Sequence, residues 1–380
     1  MNNTVAEFFA GIGLMRVGLE RAGWDVLWAN DMDPAKFEMY KEHFGDAGDS
    51  EESFVLKDVH QLDAKKFPKV ALATSSFPCT DLSLAGRRHG LSGRSSSAYW
   101  GFIDLLKGLP KSRLPNLILL ENVTGFLSSN KGADLRDACY ALNELGYAVD
   151  AFIIDAVHFV PQSRQRLFVV GSRKKATGVP ALFQCQCRPD KLVSFMYEHP
   201  EIQWRLSSLP PLPARQANLH DVIDSECDDW WDEERAQYLL SQMSPKHREI
   251  ADGMIGGSSV TYGTIFRRVR NKICRAELRV DGVAGCLRTP KGGSARQILF
   301  AAGNGSYQVR LLSAIECARL MGVGSYKMKS DLTVNKALFG FGDAVCVPVV
   351  EWIGHHVLNP LKNGVHKNGK STKELTRQTA

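Results

Sequence analysis

Three kinds of side chain in this sequence can do chemistry, and the thiol and the acid each stand at the end of an apolar run. The thiol is Cys79, in Phe77-Pro78-Cys79-Thr80-Asp81, shortly after Val70-Ala71-Leu72-Ala73. That run is long enough for a buried strand and too short for a helix. Pro78 cannot donate to a sheet and biases Phe77 toward an extended backbone, so the strand must end in a rigid turn that presents the thiol. The acid is Glu121, which closes Leu117-Ile118-Leu119-Leu120 and precedes Asn122. A carboxylate at the end of a buried strand is costly unless it is paired or used. The cations are in Gln162-Ser163-Arg164-Gln165-Arg166, where strand alternation would put Gln162, Arg164 and Arg166 on one face. A nucleophile, an acid that burial can keep protonated and fixed cations are the parts of a covalent, acid-assisted reaction. Cys79 taken alone reads first as a small buried hydrophobe, as most free cysteines are, and only its company reverses that.

The elements that must position these groups alternate strand and helix. Val5-Ala6-Glu7-Phe8-Phe9-Ala10-Gly11-Ile12-Gly13 reads as a short strand running into a glycine turn, and residues 14–22 follow with helical spacing and Gly23 as a stop. Strand, glycine turn and helix open a Rossmann-like unit, although Leu14 replaces the third glycine of the dinucleotide fingerprint, which leaves the cofactor unidentified. A second strand, residues 24–29, ends near Asp31, where a carboxylate can accept from ribose hydroxyls. Asp33 before Pro34 is placed to cap the next helix. A third strand, 54–59, carries Asp58 at its end. The Cys79 strand is fourth, the Glu121 strand fifth, and residues 148–159 and 166–171 give two more. Ser83 to Ser97 is a long Gly-, Ser- and Arg-rich loop containing Arg87 and Arg88, read as a lid that could close on a polyanion. After Gly171 the sequence has little helical period until Val309. The helical pattern then runs through Met321, and Phe341-Gly342-Asp343-Ala344-Val345 opens a last helix.

Composition narrows the partners. The chain has 380 residues, 44% hydrophobic and 23% charged, which suits a folded enlarged domain or two domains. No apolar run of transmembrane length and no signal-peptide core is evident. Nine scattered cysteines point to a reducing cytosol, and Cys185-Gln186-Cys187 lacks a second pair at zinc spacing, so no metal is expected. From Arg267 to Arg296 nine basic residues face two acids, a surplus larger than the whole chain's net charge of +6. Such a segment reads as a phosphate-contacting face, with Arg267, Arg268, Arg270, Lys272, Arg288 and Lys291 as candidates.

Taken in order, Phe8-Phe9-Ala10-Gly11-Ile12-Gly13, Phe77-Pro78-Cys79, Glu121-Asn122-Val123, Gln162-Ser163-Arg164-Gln165-Arg166, Arg310-Leu311-Leu312 through Glu316-Cys317-Ala318-Arg319-Leu320-Met321-Gly322, and Gly342-Asp343-Ala344-Val345 resemble the motifs of cytosine-carbon-5 DNA methyltransferases of bacterial and phage type. The resemblance covers roughly the first 175 residues and the last 70 before the tail (order-of-magnitude spans in the usual domain range). It implies an α/β, Rossmann-like domain dependent on S-adenosylmethionine, with a smaller, mostly irregular or β target-recognition domain. The expected division is 1–178 completed by 325–361, then 179–324 with a hinge, then a basic disordered tail, 362–380. It also implies that Cys79 adds to carbon 6 of a cytosine flipped out of duplex DNA, and that Glu121 grips the ring. Arg164 and Arg166 would hold the base or the acid, with Pro78, Asn122 and Gln162 beside them. The cofactor would lie on Phe9, Ala10, Gly11, Ile12 and Gly13, on Asp31 and Met32, on Asp58 and Val59, and on Pro78, Asp343, Ala344 and Val345. The family usually has Asp at Glu7, Gly at Leu14, Glu at Asp31 and Asn at Asp343; the last change adds a charge beside the cofactor.

Two alternatives lie near this reading; a third, an NAD-dependent dehydrogenase, would leave the cysteine, the glutamate and the basic segment unexplained. The same fold could methylate transfer RNA, although the Cys-Phe-Thr tripeptide of that branch is missing here. The chain could also be a DNA-binding relative with a dead site, against which the retained cysteine, glutamate and arginines argue. The expected setting is a monomer in the prokaryotic cytosol or nucleoid, without a membrane, and paired with a separate restriction endonuclease or acting as an orphan.

Overall fold

The computed structural model describes residues 3–45, 53–78, 97–175, 185–270, 273–289 and 296–363. Its centre is a seven-stranded sheet in the order β3-β2-β1-β4-β5-β7-β6. The strands are β1 (Thr4–Phe8), β2 (Asp25–Asp31), β3 (Phe54–Leu56), β4 (Leu72–Ser75), β5 (Leu117–Val123), β6 (Ala148–Asp155) and β7 (Gln165–Ser172). The first five run parallel and β7 is antiparallel to both β5 and β6. Strands buried on both faces need unbroken apolar runs, and Leu117-Ile118-Leu119-Leu120 supplies one, each residue at most 3% exposed. Strand order reverses between β1 and β4, so a crevice must open beyond their carboxyl ends. Phe9 and the Phe77–Pro78 turn both lie there.

Helices α1 (Leu14–Arg21), α2 (Pro34–Phe44), α3 (Ala98–Lys107) and α4 (Ala133–Glu144) connect the sheet, and the chain returns to it through α8 (Ala314–Leu320), α9 (Val334–Asp343), α10 (Val347–Ile353) and α11 (Asn359–Asn363). Two large apolar clusters cover its faces, one containing Phe8, Trp28, Phe77 and Tyr99, the other containing Leu19, Phe341, Val350 and Leu358. Asp33 caps α2 as expected, accepting from the Ala35 and Lys36 amides.

Between the two halves of this domain stands a second sheet, β11-β10-β8-β9, built from β8 (Thr261–Arg270), β9 (Ile273–Arg279), β10 (Ile298–Gly303) and β11 (Ser306–Leu311). Its own core packs Ile265, Ala276, Leu278 and Phe300 against Leu239, Leu240 and Ala251. A buried ion pair, Arg310 with Glu316 at 2.7 Å, ties the end of β11 to α8, and both side chains are fully buried.

Several sequence expectations change. Among the described residues of 172–300 there are three α-helices, α5 (Asp190–Glu198), α6 (Glu233–Ser241) and α7 (Pro245–Ile255), where the sequence shows little helical period. They are short, and polar residues interrupt their apolar faces. Residues 306–311 are strand, so the helix begins only at Ala314, behind the Ser313 capping box. Phe341-Gly342-Asp343 ends a helix instead of opening one. The joined run Val334–Lys362 is also long and apolar enough by composition to cross a membrane, with mean hydropathy 1.5. However, 72% of that window is buried in the protein, and residues 344–346 interrupt the helix.

Candidate active site

The glycine turn after β1 is shaped by backbone. Phe9 has φ 58°, a conformation rare outside glycine, and Gly11 and Gly13 have φ 57° and 79°. A β-carbon on Gly13 would lie 2.3 Å from the Phe44 ring, whereas one on Gly11 would meet nothing nearer than 3.9 Å. Gly13 is therefore required by packing as well as by φ, while Gly11 leaves open backbone for a ligand. Asp31, at the end of β2, accepts from the Gly11 amide at 2.8 Å and the Asp33 amide at 2.9 Å. Burial raises its pKa, and those two amides and Lys36 oppose that rise. Ala10 and Ile12 are buried, while Met32 is 66% exposed at the rim. Asp58 caps the short turn beginning at Val59 by accepting from the His60 amide.

Asp343 carries the charge foreign to the family pattern, and the structure neutralises it. Lys36 Nζ lies 2.7 Å from its carboxylate, so α2 and the end of α9 are joined across the turn. Ala344 and Val345 continue from it, Val345 buried. Lys36 was not singled out in the sequence, because nothing in the spacing of 36 and 343 announces a contact.

Glu7 sits beneath the same turn, 1% exposed. Burial pushes its pKa up to about 8, with Arg16 pulling the other way. Although a carboxyl group is kept where the family has Asp, it is largely protonated at neutral pH.

Glu121 and Arg166 form the charged centre. Glu121 Oε1 lies 3.0 Å from Arg166 Nε, with side chains 7% and 16% exposed. Burial raises the Glu121 pKa, while Arg166, then Arg164 and Ser76, pull it back. The neighbouring Asn122 donates to the Phe77 carbonyl at 3.0 Å, fixing the turn that leads into Pro78. Phe77 is itself packed against Tyr99 and Phe126. Cys79, Arg87, Arg88, Lys272 and Lys291 lie outside the described residues, as does the side chain of Arg270.

The shared face read for Gln162, Arg164 and Arg166 does not form, because β7 begins only at Gln165. Gln162 is fully buried, donating to the Leu320 carbonyl at 2.8 Å and accepting from the Leu287 amide at 3.0 Å. Arg164 is 2% exposed and donates to the carbonyls of Leu287 at 2.9 Å, Gly342 at 3.0 Å and Ala344. Arg166 thus pairs with the acid, and Arg164 braces the backbone around it. Cys286 was also overlooked. Its sulfur lies 3.2 Å from Arg164 Nη1, and although burial works against it, Arg164, Arg166 and Arg288 hold the thiol below its ordinary pKa.

The model of the C-5 cytosine-specific DNA methylase family matches residues 3–359. The chain belongs to that family. It is 25% identical over 357 residues to the type II methyltransferase M.HhaI of Haemophilus parahaemolyticus, covering 92% of this chain and 93% of that one. It is also 28% identical over 267 residues to the orphan methyltransferase M.Rho11sI of Bacillus phage rho11s, covering 67% of this chain and 50% of the relative. Its fold resembles that of the S. pombe Dnmt2 methyltransferase, with TM-score 0.61 and 20% identity over 94% of this chain and 98% of the other. The chain is a cytosine-C5 methyltransferase, and its family membership does not favour the transfer-RNA alternative.

One consequence concerns stability. The folded pKa of Glu7 exceeds its unfolded value, so the folded state holds an extra proton between about pH 4.5 and 8. Stability from this group is present below that window and is lost as pH rises through it. Denaturant titrations from pH 5 to 9 should show a fall for the wild type that Glu7→Gln flattens; parallel profiles would contradict the assignment.

Proposed function

We infer that this methyltransferase transfers the methyl group of S-adenosylmethionine to carbon 5 of a cytosine flipped out of duplex DNA. The observation that carries the reading is the buried Glu121–Arg166 pair beside the turn that Asn122 clamps. When bound, the cofactor supplies an electrophilic methyl group on a sulfonium. The residues present fit it: open backbone at Gly11, the Asp31 carboxylate, and the oppositely charged Lys36 and Asp343 for its zwitterionic amino-acid end. Phe9 would stack on the adenine, and Asp58 would hold its amine.

Carbon 5 of cytosine is too weak a nucleophile unaided. The Cys79 thiolate, one residue beyond the fixed Pro78, would add to carbon 6 while Glu121 gives a proton to ring nitrogen 3. The resulting enamine makes carbon 5 nucleophilic enough to take the methyl group. Water would then take the carbon-5 proton, nitrogen 3 would return its proton to Glu121 and Cys79 would leave as the thiolate, restoring the ring; covalent addition thus splits one difficult step into easier ones. A carboxyl group with a pKa raised by burial suits that proton transfer. Arg166 would keep the acid oriented, and Arg164 would hold the surrounding loops in register. Flipping the base costs a few kcal/mol. The division into 1–178 with 325–361 and a recognition region of 179–324 follows from this reading. So does action as a monomer, either beside a restriction endonuclease or as an orphan enzyme.

Pure protein incubated with methyl-labelled S-adenosylmethionine should label unmethylated plasmid DNA and leave transfer RNA unlabelled. Cys79→Ser should abolish labelling while DNA binding persists; substantial methylation by that variant would refute Cys79 as nucleophile. Calorimetric titration gives a second check, independent of turnover. Lys36→Ala should weaken cofactor binding on the order of ten-fold, about 1.4 kcal/mol, and adding Asp343→Asn should recover most of it. Unchanged affinity in Lys36→Ala would remove the charge pair from the cofactor site.

A further inference from the structure

Strand β8 outruns its neighbour. Its pairing with β10 ends at Ile265, whereas its pairing with β9 continues from Phe266 opposite Glu277 to Arg270 opposite Ile273. Residues 266–270 and 273–277 therefore leave the sheet as a two-stranded ribbon, about 17 Å long at roughly 3.3 Å per residue.

The register puts Arg268 directly opposite Arg275. Like charges facing each other across a strand pair are destabilising. Phe266 and Glu277 relieve part of that repulsion: the Arg268 guanidinium carbon lies 4.7 Å from the Phe266 ring centroid and its Nε 3.9 Å from the Glu277 carboxylate. The Arg268 side chain is still 52% exposed, so an electron-rich partner laid on the ribbon would relieve the rest.

The direction of that face follows from alternation. Thr264 pairs with Leu299, and Leu299 belongs to the main core together with Ala284 and Leu287. Arg268, Arg275, Phe266 and Glu277 share the side of the sheet on which Thr264 lies. The opposite side carries Ile265, Ala276 and Leu278 into the core against α6 and α7. The arginine rung therefore faces the same side as the loop that Arg164 ties into the active site.

Two kinds of DNA contact would satisfy it, phosphate or base edge. Glu277 decides between them. A carboxylate on a surface that only met phosphates would repel them, whereas in a groove it orients an arginine or accepts from the amine of a cytosine. An antiparallel ribbon fits the major groove, which is about 12 Å wide and 8.5 Å deep, and the commonest specific contact there is arginine on guanine O6 and N7.

We propose that the β8–β9 ribbon enters the major groove of the target site and that Arg268 and Arg275 read guanines there. This rests on the reading of duplex DNA as substrate and adds the residues that choose the sequence.

The test selects randomised duplexes by binding to the full chain, with methylation of the same library mapped in parallel. Wild type should enrich a motif containing guanines. Arg268→Ala and Arg275→Ala should each relax a single position of that motif by roughly ten- to hundred-fold, and Arg268→Lys should not restore it. Far-ultraviolet circular dichroism and thermal unfolding would verify that each variant folds. Uniform weakening at every position, repaired by lysine and accompanied by a shallower salt dependence, would make these phosphate contacts and overturn the proposal. An unchanged motif in both alanine variants, or no sequence preference in the wild type, would overturn it too. A guanine motif that the variants relax, without methylation anywhere, would sink the catalytic reading and leave the base-reading role standing.

Discussion

The geometry of this site depends on one buried guanidinium. Arg164 reaches carbonyls at Leu287, Gly342 and Ala344, segments more than a hundred residues away in sequence. Removing that charge from water is costly, and three carbonyl acceptors offset the loss only while all three segments stay in place. One acceptor lies in the last turn of α9, where the helix dipole favours a cation. The side chain therefore locks the β7 entry, the connection between β9 and β10 and the α9–α10 junction into one arrangement. Gly342 answers the same constraint: a β-carbon there would lie 2.6 Å from the backbone of Arg288 and Thr289.

Because Arg164 is committed to backbone, Arg166 is left to serve Glu121, two residues on and at the start of the strand beside it. Burial lowers the pKa of Arg164, and the like charge of Arg166 lowers it further. This local positive field restrains the effect of burial on Glu121 and acts on the Cys286 thiol as well. An acid whose pKa burial raises while neighbouring cations pull it back is suited to exchange a proton. A similar charge pairing appears between Lys36 and Asp343, where a carboxylate is answered by a lysine from another helix.

The parallel half of the fold could be read from the sequence because its strands are short, wholly apolar runs ending in glycine or acid, and because Asp33-Pro34 is a strong helix start. The site could be read in part, since Cys79, Glu121 and the arginines lie in local motifs. What local pattern could not give was partnership. Strand alternation suggested equal roles for Gln162, Arg164 and Arg166, but β7 begins only at Gln165, so the first two turn inward. Lys36 and Cys286 meet the site only through contacts between distant segments. The helices of the inserted region escaped because each is brief and buries one narrow stripe, and the strand at 306–311 because Val309, Leu311 and Leu312 fit either period.

The proposed mechanism turns on a covalent bond between Cys79 and carbon 6 of the base. Mass spectrometry can look for it directly, using S-adenosylmethionine and a duplex carrying 5-fluorocytosine at the methylated position, where fluorine replaces the proton that must leave. The predicted result is a stoichiometric adduct on the peptide containing Cys79, carrying the transferred methyl group. No adduct, or one on Cys286 instead, would contradict covalent catalysis by Cys79.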